Sequence, residues 1–142
     1  MSTQTEKKEE KEKWFFEQII RITDSEVNSK GIVSYFQIVK LAEKTAEIFI
    51  SETLKLEEGK IYFQARESRF VLKTDIKRGD LLCIKLKVVR TNMFVFELFF
   101  EFVANNKICA NGTMVFVCNE DFNTTRIPFE ISKLLYDLLS CS

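Results

Sequence analysis

Few side chains in this sequence could do chemistry. The chain has no histidine, so every mechanism that needs an imidazole as base, proton shuttle or ligand is excluded. Its cysteines, Cys83, Cys109, Cys118 and Cys141, form no CxxC pair, so their spacing gives no basis for a zinc site. Among the carboxylates, Glu43 can be placed on a helical wheel. It falls within Tyr35 to Ser51, a stretch without Gly or Pro that reads as one long helix. At about 100° per residue, its wheel neighbours are Phe36, Val39, Ala46 and Ile50, away from the Lys40–Lys44–Glu47 stripe. A carboxylate on such an apolar flank is expected to be partly desolvated, which makes it a better general base. The helix begins at Ser34 or a neighbour, which caps it. The N–H groups around Ser34, Tyr35 and Phe36 then have no intrahelical acceptor and form a natural site for a carbonyl or oxyanion.

The elements that must hold these groups follow from patterning. Residues Glu6 to Lys13 alternate in sign, read as a frayed, solvated segment, and lead into Trp14, Phe15, Phe16, Ile19 and Ile20. That spacing suits one face of an N-terminal helix. The Tyr35–Ser51 helix is apolar on almost every side, so it is expected to be largely buried and wrapped by a sheet. Ile61 to Ala65 and Arg69 to Thr74 are β-rich, and Lys77-Arg78-Gly79-Asp80 makes a turn. Leu82 to Val89 and Phe94 to Val103 alternate with period two, Asn105-Asn106 suits a tight hairpin, and Ile108 to Cys118 is a further strand containing Gly112. Ile127-Pro128 opens a C-terminal amphipathic helix with Ile131, Leu134, Leu135 and Leu138. The expected fold class is α+β: a long antiparallel sheet around a central helix, with N- and C-terminal helices. Residues 1–13 are expected to be a charged terminal segment and 14–142 one domain.

Composition narrows the function classes. The 142 residues carry 21 basic and 21 acidic side chains, a balance that argues against a general nucleic-acid or anionic-membrane binder. No apolar run reaches membrane-spanning length, and nothing apolar precedes Trp14 as in a secretory signal. The expectation is a cytoplasmic protein with free thiols, no metal and no membrane or nucleic-acid partner.

The element order resembles the hotdog fold. Asn28-Ser29-Lys30-Gly31-Ile32-Val33-Ser34-Tyr35-Phe36 followed by Leu41-Ala42-Glu43 is similar to the N-x-x-G-x-x-H-G-G … L-A-D/E pattern of hotdog acyl-CoA thioesterases, of the phenylacetic-acid-pathway and 4-hydroxybenzoyl-CoA types. Gly79-Asp80 at the end of a turn, Ala110-Asn111-Gly112-Thr113 within a strand, and Ile127-Pro128 before a terminal helix also resemble that family. Two departures stand out. Ser34-Tyr35-Phe36 replaces His-Gly-Gly, narrowing the approach to the helix start. Asn28 stands where a second branch carries an aspartate.

The resemblance implies hydrolysis of a fatty or aryl acyl-CoA to free acid and coenzyme A, with no cofactor beyond the coenzyme A of the substrate. It nominates Glu43 as general base or nucleophile and Asn28 as the residue that orients water or the thioester carbonyl. Gly31, Ser34, Tyr35 and Phe36 would be substrate-binding. Glu43 could instead form a structural ion pair with Lys40 or Lys44 at the margin of a dimer interface, and Asn28 could simply cap its loop. Lys77, Arg78 and Arg90 are candidates for coenzyme A phosphates, or ordinary solvated charges. Hotdog domains pair edge to edge with sites between subunits, which implies a homodimer or a dimer of dimers. The alternative is a non-catalytic acyl-CoA-binding hotdog module. A dehydratase relative ranks last, because such enzymes typically rely on a histidine.

Overall fold

The computed structural model describes residues 16–56 and 59–141. Six antiparallel strands form one sheet: β1 (Phe16–Arg21), β2 (Ile61–Leu72), β3 (Leu81–Thr91), β4 (Val95–Ala104), β5 (Lys107–Glu120) and the short β6 (Asn123–Thr124). The order is β1-β3-β4-β5-β2, with β6 added to β5. The long helix α1 (Tyr35–Glu52) lies on the inner face of the sheet, and α2 (Phe129–Cys141) closes the chain against β3.

Strand alternation makes the inner face. In β4, Phe96, Leu98, Phe100, Phe102 and Ala104 are buried, while Val95, Glu97, Phe99, Glu101 and Val103 point outward and are half-buried. Aromatic rings interlock across the strands on the inner face: Phe96 stacks on Phe116 at 5.2 Å, and Phe63 meets Phe96 edge-on at 4.9 Å. Helix α1 presses Ile38, Leu41, Ala42, Thr45, Ala46 and Phe49 onto this layer. Buried Thr45 keeps its hydroxyl satisfied: Oγ1 lies 2.8 Å from the Leu41 carbonyl and 2.8 Å from Gln18 Oε1 of β1, and it donates its single proton to either.

Three sequence expectations need correction. The segment read as an N-terminal helix is strand β1 across its described part, with Phe16, Gln18 and Ile20 half-buried and Glu17, Ile19 and Arg21 exposed. Its apolar residues fit either period, and register pairing with Leu81–Leu86 of β3 decides for the strand. The charge run and Trp14-Phe15 lie outside the described residues. Second, the two β-rich pieces at Ile61 and Arg69 form one strand, β2, whose bulge between Ala65 and Glu67 absorbs the polar interruption. Third, α1 is buried on one side only. Tyr35 and Phe36 are exposed, Phe36 at 84%, while Val39 and Ile50 are half-buried. The Asn105-Asn106 hairpin is as expected, with φ of 53° and 60°.

Gly112 sets the spacing between β5 and β2. A Cβ there would lie 2.1 Å from the Arg69 carbonyl oxygen and 2.7 Å from Phe70 Cα, so β2 can approach this closely only past a glycine. Gly112→Ala is expected to cost roughly 3 kcal/mol by forcing the strands apart, a drop in Tm of roughly 10 °C by calorimetry. An unchanged Tm would show that the strands yield freely there.

Candidate functional site

The loop before α1 is built around Asn28. Its Oδ1 accepts from the backbone N–H of Lys30 at 2.9 Å and of Ile32 at 3.2 Å, an Asx-type turn. Its backbone N–H donates to the Ile32 carbonyl at 2.9 Å, and its carbonyl accepts from Gly31 N at 2.9 Å. Gly31 adopts φ +76°, a left-handed backbone for which glycine is the natural residue. The loop is then fastened to the β2–β3 connection. Arg78 N donates to the Gly31 carbonyl at 3.0 Å, Val33 N donates to the Ile76 carbonyl at 2.8 Å, and Ile32 bridges Lys77. Asp80 Oδ2 accepts from Lys77 N at 2.9 Å and holds that turn closed.

This scaffold aims the start of α1. Ser34 is the N-cap, its Oγ accepting from Gln37 N at 3.3 Å, and the first intrahelical bond is Ile38 N to the Ser34 carbonyl. Tyr35 N–H and Phe36 N–H therefore meet no acceptor among the described residues. The loop capping of Asn28 is present, and it also fixes the amide. With Oδ1 occupied by two backbone donors, the Nδ2 group is the free end and finds no acceptor among the described residues. The Tyr35 and Phe36 rings, 6.3 Å apart and edge-to-face, stand at this helix end.

Glu43 lies two turns further along. Its side chain is exposed in the single chain, so the expected desolvation is not supplied by its own fold. The reason is rotational: Phe36, Glu43, Glu47 and Ile50 form the stripe roughly opposite the buried Ile38–Thr45–Phe49 side. Glu43 makes no ion pair with Lys40, Lys44 or any other described residue. Seven to eight residues separate Glu43 from the free N–H groups, about 10–12 Å along the axis. Those N–H groups point beyond the helix end, away from Glu43. One carbonyl held there is out of reach of the same chain's Glu43 even through a single water. The fold therefore brings Asn28, Gly31, Ser34, Tyr35 and Phe36 together and leaves Glu43 apart.

Of the cationic candidates, Arg78 pairs with Asp24, and its guanidinium flanks Gly31, 3.6–3.8 Å from where a Cβ at that position would sit. Arg90 pairs with Glu97 at 3.0 Å on the outer sheet face, the side opposite α1, which removes it from this site. Sequence reasoning placed Glu47 in a solvated stripe. It lies one turn beyond Glu43 and lines an apolar groove with Ile50, Ile61 and Phe63; its i+4 spacing from Glu43 was the signal. Burial pushes the Cys118 thiol up to about 11 and raises those of Cys83 and Cys109, so none of the three is a thiolate nucleophile at neutral pH. No described helix is long and apolar enough to cross a membrane.

No protein-family description and no curated protein matches the chain. Solved structures do. A gentisyl-coenzyme A thioesterase superposes with a TM-score of 0.77 at 21% identity, over 84% of this chain and 99% of its own. A 1,4-dihydroxy-2-naphthoyl-CoA thioesterase from Synechocystis gives 0.76 at 15% identity, over 87% and 96%. A Pseudomonas aeruginosa protein gives 0.81 at 17% identity, over 90% and 94%. The chain has the hotdog fold. Its central hotdog helix is α1, and the Asn28–Phe36 segment forms the entry to that helix.

The two roles of Asn28 are separable. Asn28→Ala removes the acceptor for two backbone donors and is expected to cost about 1–2 kcal/mol in urea unfolding. Asn28→Asp keeps the acceptor and is expected to unfold close to wild type. Equal losses in both would mean that the amide nitrogen also carries the loop.

Proposed function

We propose that this chain is an acyl-CoA thioesterase acting as a homodimer, with each site shared between two copies. The observation that carries the reading is Glu43, an unpaired carboxylate on the outward stripe of the hotdog helix. Support comes from the thioesterase names of the structures that share the fold, and from the donors at the helix start. Separation within one chain favours the pairing of one copy's Glu43 with another copy's Asn28 and Tyr35–Phe36 N–H groups. Among the described residues the free sheet edges are β1 and β2; β2, a 12-residue strand packed beside α1, is the edge we assign to pairing. Closing that edge beside α1 would remove Glu43 from water and supply the desolvation that its own fold does not.

In this reading the thioester carbonyl oxygen accepts hydrogen bonds from the free N–H groups at the helix start and from Asn28 Nδ2. Those donors stabilise the charge that develops on it. Glu43 takes a proton from water as the water oxygen bonds to the carbonyl carbon, or its own oxygen attacks that carbon. The carbon–sulfur bond then breaks and coenzyme A leaves, its sulfur taking up the proton that water gives; where Glu43 itself attacked, water then hydrolyses the acyl–Glu43 anhydride to the free acid and restores the carboxylate. Lys77 and Arg78, whose turn is bonded to the entry loop at Gly31 and Ile32, suit the coenzyme A phosphates.

The second reading is a hotdog module that holds acyl-CoA without cleaving it. It is favoured by Tyr35 and Phe36, whose bulk stands where glycines would leave the N–H groups open.

Thiol release from a panel of short, long and aromatic acyl-CoAs tests the choice. Wild type is expected to turn over, and Glu43→Gln is expected to lose at least about 100-fold in kcat, the scale of one general base, with unchanged Tm. Full turnover in the variant would remove Glu43 from the mechanism. A Tm raised by acyl-CoA with no thiol released would establish the binding module.

A further inference from the structure

Past Glu43 the outward stripe of α1 leads into an apolar trough. Its first part is a cavity of about 550 Å3, lined by Glu47, Ile50, Leu56, Ile61, Tyr62 and Phe63. Its second part, about 710 Å3, lies between the end of α1, the start of β2 and α2, where Leu54, Pro128, Phe129, Ile131 and Leu134 form the walls. The two adjoin, sharing Leu56, Gly59 and Ile61 as wall residues. The trough begins one helical turn, about 6 Å, beyond Glu43.

We propose that this trough is the acyl channel, and that its occupant is the unbranched alkyl chain of a long fatty acyl thioester. The proposal rests on the thioesterase reading and adds the substrate class to it. The first cavity alone is within the size range of a small-ligand pocket and would suffice for a compact aryl group. The second part has a use only if the acyl group is long. Among the described residues, the charged side chains lining that second part are Lys55, Lys60, Glu120 and Glu130, two of each sign, which offer no net attraction to an ionic occupant. What it does offer is apolar surface left in water by this chain: Phe129 is 80% exposed and Leu134 38%. With the carbonyl at Glu43, the chain passes Glu47 and Ile50, crosses at Ile61, and ends against Phe129 and Leu134. The C-terminal helix is thus the element that reads chain length.

Equilibrium binding tests this on the Glu43→Gln protein, titrated with butanoyl-, octanoyl- and hexadecanoyl-CoA while thiol release is followed in parallel. Affinity is expected to rise roughly tenfold or more from octanoyl to hexadecanoyl, as added methylenes leave water. Phe129→Ser and Leu134→Gln, both at exposed positions, are expected to remove most of that gain. Equal affinity for all three chains overturns the proposal, as does a gain that survives both substitutions. A changed oligomeric state in the two variants overturns it as well, by making the trough an interface between copies. The thioesterase reading fails separately. If wild type releases no thiol from any of the three while the chain-length gain persists, the channel stands and the hydrolysis does not.

Discussion

A single helix laid on a curved sheet can bury only one side of itself, and the rest of this structure follows from that. Ile38, Leu41, Ala42, Thr45, Ala46 and Phe49 take the sheet side of α1, and the 3.6-residue period then commits Phe36, Glu43, Glu47 and Ile50 to the outside. The helix carries more apolar surface than its own sheet can cover. Phe36 at 84% exposure, with half-buried Val39 and Ile50 beside it, is what remains. A candidate catalytic carboxylate and uncovered apolar groups thus share one stripe, as expected if another copy completes the site.

The helix start is fixed by a different set of forces. Backbone hydrogen bonds tie the Asn28–Val33 loop to the Ile76–Asp80 connection, and these depend on left-handed backbone at Gly31 and Gly79, with φ of 76° and 90°. The Arg78–Asp24 pair is exposed and adds little energy of its own, yet it stands where the loop, the β2–β3 turn and the segment after β1 meet. The orphan donors of Tyr35 and Phe36 are placed by this backbone network together with the Asn28 and Ser34 side chains. Preorganisation of this kind is what a developing oxyanion needs.

Much of the fold was legible because its signals are local. Ser34 as cap, the unbroken Tyr35–Ser51 pattern and the paired asparagines at the β4–β5 turn each carry their own conformational preference. The N-terminal strand was not legible. Phe16, Ile19 and Ile20 satisfy a helical period as well as an alternating one, and only pairing with β3 resolves it. The continuity of β2 was hidden in the same way, since a bulge at Ala65–Glu67 looks in sequence like a break. Of the site, Asn28 was legible as a residue of two possible roles, and the geometry gives its oxygen to the loop and leaves its nitrogen free. The outward rotation of Glu43 is not legible on the wheel, because apolar neighbours suggest burial, whereas Phe36 is itself exposed and Ile50 only half-buried on the uncovered side.

The central claim is that one copy's carboxylate works with another copy's donors. Co-expressing Glu43→Gln and Asn28→Asp chains under two different tags, and isolating the mixed dimer, tests it directly. If sites are shared between copies, one site per mixed dimer has both native residues, and about half of wild-type turnover is expected although each variant alone has lost about 100-fold or more. If each site lies within one chain, both sites of the mixed dimer carry a substitution, and its turnover will be no higher than that of the two parents.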